Sequence, residues 1–483
     1  MKKSARIISL FLSMTLSVSM LSSCASKPVV PDKSVAPAAG GSSSVTEKTA
    51  GTGEKTVIRV WQRNSGKGGP LYELFQEFNA SQDEIEVKYE GFGENYSNIV
   101  NMALNSDDPP DIFEIQSTMA PVADFAESGF ILPLDEMVTE DFKKQFIPSA
   151  FAMKDFYYDN HIYAVPLRAM HFKLLYNKDL FKASGLDPEK PPETLEQMKE
   201  YAKIITEKGG GKSYGLGIYL NYAQFWLRHV DTIAVASGDT SVSGFDFKTG
   251  KFDFTPEKKY FDYWLDIQKS GYAFPGAVTL GIEQMRANFA QGNVGMMIDG
   301  NWMCTQYAMN IPTEVDWEAA PIPVFEGTKR AKDYISCDIT FAIAQKSKNA
   351  EAAKKVYQYL LENQVQMRKF GEADTKTFMA ANEKASYDLL PKEYVFRAVQ
   401  NINMIDNSAA FPIEPQKFIK LEGDSRDAVF NNEFALAIDG KGDLDSAMED
   451  LAKRYNGALE KSIAEGNLNK EDLAPAGFDY YTR

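Results

Sequence analysis

The order of apolar and polar residues beyond residue 55 predicts alternating strands and helices. Three runs have the composition or the period-two alternation of strands: residues 56–61 (TVIRVW), 84–92 (EIEVKYEGF) and 111–116 (DIFEIQ). Between the first two runs, Leu71, Leu74, Phe75 and Phe78 recur at the spacing of one helix face. A second helix is predicted near residues 96–104. This alternation predicts βαβ units and a parallel sheet.

The rest of the chain continues the α/β pattern. Four more segments have helical periodicity: residues 195–207, 258–268, 351–361 and 447–460. Val294 to Ile298 is a short apolar run, as expected of a buried strand, and Trp302 follows it after only three residues. About 430 residues follow the N-terminal segment, which is more than one hydrophobic core holds. The prediction is an α/β fold with at least two lobes.

The first 55 residues predict an exported and anchored protein. A basic start and a short apolar segment have the arrangement of a secretory signal at residues 1–23. Leu-Ser-Ser-Cys at residues 21–24 resembles the bacterial lipobox, in which the lipidated cysteine, here Cys24, becomes the first mature residue. Residues 24–55 lack aromatic residues and are predicted to be a flexible tether on the extracellular face of the cell membrane, as in a Gram-positive surface lipoprotein. An ordinary signal with a chance cysteine is the alternative.

Composition and motifs argue against several function classes. Residues 1–23 hold three basic and no acidic residues, so their removal changes the net charge from -15 to -18. A chain this acidic is unsuited to nucleic acid or anionic lipid as a partner. There is no HExxH motif, and the phosphate loop at residues 207–213 is incomplete. We therefore expect no metal, no cofactor and no enzymatic activity.

Six stretches spread over nearly the whole chain after the tether form a common pattern. They are FQEFNASQDEIEVKYEGFGENY (75–96), DDPPDIFEIQS (107–117), ESGFILPLDE (127–136), IYAVPLRAMHFKLLYNKDLFKASGL (162–186), FAQGNVGMMIDGNW (289–302) and FAIAQKSKNAEAAKKVYQYL (341–360). Together and in this order they resemble the bacterial extracellular solute-binding proteins of family 1, the maltose- and oligosaccharide-binding receptors of ABC importers. The family usually has small residues where this sequence has Arg168 and Lys173, which leaves the class of ligand open.

The resemblance implies a two-lobed fold of the type II periplasmic-binding-protein class, with a hinged cleft for the ligand. The implied bounds are residues 56–168 and 341–405 for lobe 1 and 169–340 and 406–483 for lobe 2, with crossings near 167–171, 337–342 and 402–412. A cleft at strand ends also follows from the physics of open α/β sheets. The implied partners are an oligosaccharide and a pair of ABC permease subunits in the membrane, with the protein acting as a monomer.

Sugar chemistry selects the candidate site residues. A sugar has an apolar C–H face and an edge of hydroxyls, so its site needs exposed aromatic rings and planar hydrogen-bonding groups. The stretch after residue 298 supplies both, and the resemblance places Trp302 on the sugar face with Asp299 and Asn301 near its hydroxyls. Other predicted strand ends and crossings supply Arg63, Asn64, Gln116, Ser117, Arg168 and Asp338. Residues 219–226 resemble the aromatic cleft segment of the family, and this resemblance adds Asn221, Tyr222 and Trp226. Trp61 and Trp264 fall inside regular elements and are expected in cores.

Two other functions would share these features. A glycosidase or lyase needs two carboxyl groups facing each other across the cleft, roughly 5–9.5 Å apart for a glycosidase. Asp299 and Asp338 are the pair to examine for that function. A receptor that signals to a membrane sensor kinase would have a similar binding site and would differ only in its partner.

The sequence leaves two further points open. Arg63, Arg168 and Arg228 leave room for a uronate-bearing ligand, although Arg228 has solvent or Asp231 as alternative partners. Cys304 and Cys337 match no metal or redox spacing, and they are either free thiols or a disulfide. Neither question is decided by the order of residues alone.

Overall fold

The computed structural model describes residues 54–63, 70–93, 95–116, 119–144, 151, 153–303, 306–307, 311, 313–363 and 408–482. Within these ranges, the side chains at 70, 167–169, 337–339 and 408 lie outside the description. The predicted signal, the lipidation site Cys24 and nearly all of the tether lie outside the described residues, as do Asn64, Ser117 and Cys304.

The described strands build one large sheet and two small hairpins. They are β1 (Thr56–Arg63), β2 (Ile85–Phe92), β3 (Ile112–Ile115), β4 (Tyr157–Tyr158), β5 (His161–Ile162), β6 (Val165–Asn177), β7 (Tyr214–Leu216), β8 (Phe245–Asp246), β9 (Lys251–Phe252), β10 (Val294–Gly300), β11 (Trp317–Ala320), β12 (Asp333–Ile343) and β13 (Ser408–Ala409). The large sheet has the order β2-β1-β3-β12-β6-β10-β7, with β11 on β6 and β13 on β12. β1 is parallel to β2 and β3, as the βαβ pattern predicts. β12 is antiparallel to β3 and β6 and so joins the two halves of the sheet.

The helices predicted from periodicity are present with small shifts at their ends. The described helices are Pro70–Ser81, Tyr96–Leu104, Val122–Glu127, Glu140–Lys143, Lys178–Ser184, Leu195–Gly209, Thr232–Ser237, Lys258–Lys269, Ile282–Ala290, Ala350–Glu362, Arg426–Ile438, Leu444–Ala464 and Lys470–Leu473. The helix predicted at 447–460 begins earlier, at Leu444, because the Asp443 side chain accepts from the Ser446 backbone N–H and caps it. None of these helices is both long and apolar enough to cross a membrane.

Two separate hydrophobic cores are formed, one in each half of the sheet. The first core draws on residues 58–165 and 335–361 together with residue 410, and the second on residues 172–334 and 411–480. Trp264 is fully buried in the second core and Trp61 is half-buried against the first, in line with their positions inside regular elements. The two-lobed α/β organisation is therefore present, and the lobe boundaries inferred from the sequence stay predictions.

Two long strands run from one core to the other. Val165, at the start of β6, belongs to the first core, whereas Phe172 further along belongs to the second. β12 runs the opposite way, with Tyr334 in the second core and Phe341 in the first. Because the two strands pair with each other, the cores are joined by a hydrogen-bonded ribbon rather than by loose loops.

The third passage between the cores lies beside the other two. Ala410 packs in the first core and Phe411 in the second, immediately after β13, which pairs with β12. The backbones of Arg168 and Asp338 lie opposite each other where β6 and β12 pair. The three passages seen in the described residues thus lie side by side.

Candidate functional site

A cavity of about 250 Å³ lies between the two cores, beside the crossing strands. Ile115, Val122 and Phe156 line it from the first core, and Tyr334 lines it from the second. Met170, from β6, also contributes to the wall. Since both cores and the crossing strands form this wall, a molecule bound here would touch both lobes.

Among the described residues, three charged side chains line the cavity: Asp155, Glu414 and Lys417. The Lys417 ammonium lies 2.6 Å from Oδ2 of Asp155 and 3.2 Å from Oε2 of Glu414. The Tyr334 hydroxyl donates to Oε1 of Glu414 over 2.8 Å. The Lys417 side chain is 34% exposed. Partial desolvation would lower the pKa of Lys417, but the two carboxylates raise it above its ordinary value. Sequence reasoning missed all of these residues, because only the fold brings positions 155 and 417 together.

Among the predicted site residues, Gln116 lines the cavity. Arg63 forms a hydrogen bond with the side chain of Gln116. The Gln116 amide donates to Oε1 of Glu114 over 3.1 Å, and its oxygen accepts from Nη1 of Arg63 over 3.2 Å. The Arg63 backbone N–H donates to Oε2 of Glu114 over 2.9 Å. Glu114 is only 1% exposed, so a buried carboxylate holds the Arg63 backbone and the Gln116 side chain at the neighbouring ends of β1 and β3.

Gln224, which sequence reasoning missed, also lines the cavity, and it is exposed there. Arg228 donates from Nη2 to the Tyr222 hydroxyl over 3.2 Å, and that hydroxyl lies 3.1 Å from Oε1 of Gln224. The Arg228 guanidinium can only donate, so the Tyr222 hydroxyl accepts from it and donates its own proton to the Gln224 oxygen. The amide nitrogen of Gln224 is therefore turned away from Tyr222. The predicted Tyr222 therefore orients Gln224. The sequence feature that could have indicated Gln224 is its position midway between the candidates Tyr222 and Trp226.

Trp302 is half-buried, and its indole ring lies against the backbone of Gly300. A Cβ atom at position 300 would lie 2.1 Å from two ring carbons, so this packing requires glycine. The ring meets Phe172 edge to face at 5.7 Å between centroids, and the Arg228 guanidinium carbon lies 5.5 Å from its centroid. Trp302 is not among the described residues that line the cavity. Its contact with a ligand stays a prediction.

The sequence predicts that the side chains of Asp299 and Asn301 face a ligand, but both residues are buried. Asp299 is fully buried, and its oxygens accept from Nε and Nη2 of Arg286 over 2.8 and 3.0 Å. Nε of Arg228 lies 3.6 Å from the same carboxylate. Asn301 is 1% exposed, and its backbone N–H donates to the His171 carbonyl over 3.1 Å. A buried carboxylate requires such partners, so the polar residues after the apolar run of β10 hold the second lobe together.

Trp226 is fully buried, contrary to the expectation of an exposed ring. It stacks on Phe261 at 5.3 Å with an interplanar angle of 10°, and Phe430 meets it edge to face at 5.4 Å. Its Nε1 donates to Oδ1 of Asn431 over 2.8 Å. Two helices, Lys258–Lys269 and Arg426–Ile438, cover the ring, so Trp226 belongs to the second core.

Of the remaining predicted residues, Asn221 does not line the cavity. Asn221 is exposed, and its amide donates to the Thr279 carbonyl over 3.4 Å. The side chains of Arg168 and Asp338 lie outside the description. Because Asp299 is buried and ion-paired, one half of the carboxyl pair named for a glycosidase is held inside the lobe.

Arg228 pairs with Asp299, so the alternative pairing with Asp231 is wrong. Asp231 instead pairs with Arg426, which also contacts Glu257 at 3.2 Å. Burial raises the pKa of Glu257 to about 8, while the positive charge of Arg426 opposes that shift. This buried cluster ties the helix Arg426–Ile438 to the rest of the second core.

A family model described as bacterial extracellular solute-binding protein matches residues 64–367, which is more than half of the chain. The chain belongs to this family. The resemblance drawn from the six sequence stretches is thus confirmed, and family members are substrate-binding proteins.

This solute-binding protein has relatives that are named for different solutes. It is 23% identical to the sn-glycerol-3-phosphate-binding periplasmic protein UgpB of Brucella melitensis, over 84% of this chain and 93% of that protein. It is 25% identical to the maltotriose-binding protein of Pyrococcus abyssi, over 60% of this chain and 57% of that protein. One relative is thus named for an anionic solute and the other for a neutral sugar.

Solved structures of solute-binding proteins have the same fold. The sugar-binding protein MalE from Xanthomonas citri matches with a TM-score of 0.65 at 18% identity, over 86% of this chain and 100% of that one. A structure described for xylan utilization by Caldanaerobius polysaccharolyticus matches with a TM-score of 0.64 at 20% identity, over 83% of this chain and 100% of that one. Identities this low carry the fold alone, and they confirm the two-lobed type II architecture.

Proposed function

We propose that this solute-binding protein captures an oligosaccharide in the cavity between its two cores and delivers it to a pair of ABC permease subunits. The observation that carries the proposal is the cavity wall, which both cores and the crossing strands build. Contacts from both lobes exist together only in a closed form, so a bound solute shifts the population toward closure. The closed shape is then the form for the permease to recognise.

The wall has the mixture of surfaces that a sugar needs. Phe156 and Met170 offer apolar surface, while Gln116 and Gln224 offer planar amides and Tyr334 a polar tip on an aromatic ring. Further contacts are proposed for the side chains that follow or flank the same strands, namely Asn64, Ser117, Arg168, Trp302 and Asp338. Such a wall can meet both the C–H face and the hydroxyl edge of a sugar.

We further propose that the protein is held at the extracellular face of the cell membrane by a lipid on Cys24. The support is the Leu-Ser-Ser-Cys sequence at residues 21–24, followed by a stretch without aromatic residues. A flexible chain of this length has an r.m.s. reach on the order of 30 Å. That reach keeps the lobes close to a membrane permease while they rotate freely.

A thermal-shift screen of the unlipidated chain from residue 25 tests the proposed function. The panel holds malto-, xylo- and cello-oligosaccharides together with sn-glycerol 3-phosphate. We expect one class of oligosaccharide to raise the melting temperature, with a smaller rise in Gln224→Ala. Gln358→Ala is the matched control, since Gln358 is exposed on the helix Ala350–Glu362 and should leave the rise unchanged.

The same screen separates the competing functions. If no oligosaccharide shifts the melting temperature, sugar capture is refuted, and a shift with sn-glycerol 3-phosphate alone would name the other solute. Consumption of the sugar, followed by chromatography, would indicate an enzyme. If a sugar binds, its radiolabelled form is given to cells with and without the protein, and uptake is compared. Uptake that is lost without the protein indicates import, whereas unchanged uptake indicates a signalling receptor.

A further inference from the structure

The charges around the cavity carry an inference that rests on the proposed function and narrows it. We infer that the solute is an uncharged oligosaccharide and that Asp155 and Glu414 exclude anionic solutes, sn-glycerol 3-phosphate and uronates included. Among the described residues that line the cavity, two are acidic and one, Lys417, is basic. The described wall therefore has one excess negative charge.

The basic group in the wall is already engaged. The Lys417 ammonium lies 2.6 Å from the Asp155 carboxylate and 3.2 Å from the Glu414 carboxylate. A carboxylate or phosphate bound beside Lys417 would compete with both acids and lie within a few ångströms of them. Like charges at that distance repel each other, and the partly exposed position of Lys417 means that solvent moderates the repulsion. Lys417 thus offsets only part of the negative charge of the two carboxylates and is not a spare partner for an anion.

The arginines that would suit a uronate are also engaged, as far as their side chains are described. Arg228 is 1% exposed and lies between Asp299 and the Tyr222 hydroxyl, so a solute in the cavity does not reach it. Arg63 donates to the Gln116 amide oxygen, and the Gln116 nitrogen donates in turn to a buried carboxylate. These guanidinium groups position neighbouring side chains instead of offering a bidentate site to a solute.

The hydrogen-bonding capacity of the wall favours hydroxyl groups. Gln224 has its oxygen turned to the Tyr222 hydroxyl, which leaves its amide nitrogen to donate to a solute. Oδ1 of Asp155 is buried in the wall and has no hydrogen-bond partner among the described residues, so a donor that reaches it from the cavity would satisfy it. A sugar hydroxyl both donates and accepts, so it suits both groups. A carboxylate or phosphate only accepts and would face Asp155 with like charge.

Isothermal titration calorimetry with matched solutes tests this inference on the unlipidated chain from residue 25. Xylotriose is paired with its glucuronic-acid-substituted form and maltotriose with maltotrionic acid, and sn-glycerol 3-phosphate is titrated separately. We expect the neutral member of the bound pair to bind roughly tenfold or more tightly than its anionic partner. Raising the salt from about 50 to about 500 mM should strengthen the anionic partner and leave the neutral one unchanged, because salt screens repulsion.

Asp155→Asn tests the filter directly, because it keeps the shape of the side chain and removes its charge. The variant should lower the neutral-over-anionic ratio by roughly tenfold. Asp266→Asn is the control, since Asp266 is exposed on the helix Lys258–Lys269 and lies outside the cavity wall, and its ratio should stay at the wild-type value. The salt series in the unchanged protein gives the answer even if Asp155→Asn folds poorly.

The outcomes separate this inference from the function on which it rests. Equal or tighter binding of an anionic oligosaccharide by the wild type overturns the neutral-solute inference and leaves sugar capture standing. An unchanged ratio in folded Asp155→Asn overturns the role of that carboxylate. If no oligosaccharide of either charge binds, the proposed function fails and the inference fails with it.

Discussion

Replacing Gly300 with alanine should displace the indole ring of Trp302 and destabilise the second lobe. The ring covers Gly300 so closely that an added Cβ would lie 2.1 Å from two of its carbons and 2.5 Å from a third. Gly300 ends β10 with a backbone conformation open to any residue, so alanine itself adds no backbone strain. The clash with the ring is therefore the single cause of the expected effect.

The size of the effect follows from how far the ring must move. Carbon atoms in contact are about 3.5–4.0 Å apart, so the ring has to retreat by more than about 1 Å. Overpacking of this kind costs about 1–3 kcal/mol. Trp302 is half-buried and can swing outward, which loses its edge-to-face contact with Phe172. We therefore expect a loss of about 1–2 kcal/mol in the free energy of unfolding.

A double-mutant cycle in urea measures this cause separately from any other. The four proteins are the wild type, Gly300→Ala, Trp302→Ala and the double variant. With the ring absent, the new methyl group has nothing to displace, so Gly300→Ala should cost less than about 0.5 kcal/mol in the Trp302→Ala background. Circular dichroism follows unfolding in all four proteins, because it does not depend on the fluorescence of the deleted tryptophan.

An equal loss in both backgrounds would refute this explanation. It would mean that the backbone at position 300, and not the indole ring, requires glycine. A stabilised Gly300→Ala protein would refute it as well, since the ring would then have room to spare.

Two further predictions concern buried rings of the second core. Burial lowers the pKa of His229 from 6.5 to about 3, so between those values the unfolded chain binds more protons and stability falls as the pH drops. His229→Phe should remove roughly 2 kcal/mol of the stability lost between pH 7 and pH 5, measured by urea unfolding at both values, and an unchanged pH dependence would contradict this. Trp226→Ala should cost about 3–5 kcal/mol in the same assay while the folded protein keeps its affinity for the solute. Lost affinity at unchanged stability would restore Trp226 as a ligand contact.

Periodic segments were predictable because their apolar pattern survives in the final packing. The helices Leu195–Gly209 and Lys258–Lys269 end within two residues of the predicted bounds, since one face of each packs on a core. The hairpin of Tyr157–Tyr158 and His161–Ile162 was missed because two residues are too short to show a period. Local patterning is thus sufficient only where an element is long enough to express it.

The candidate site was less predictable because a core and a site use the same residue types. Trp226 and Asp299 lie in segments with the residue types of a sugar site. In the structure, Trp226 is stacked on Phe261 and Asp299 is paired with Arg286, and the sequence does not indicate either contact. Asp155 and Lys417 form a cavity wall although they lie 262 positions apart. No local signal marks such a pair, since its partners are chosen by the topology of the sheet.

The interleaved sheet also decides when this polypeptide is able to fold during its synthesis. β3 completes its pairing through β12, so residues 112–115 wait for residues 340–343. Closing a loop of that length is slow, and the edge of β3 that pairs with β12 stays open meanwhile. The sheet of the first core therefore stays incomplete until about seventy percent of the sequence exists. That delay suits a polypeptide that is threaded across a membrane before it folds.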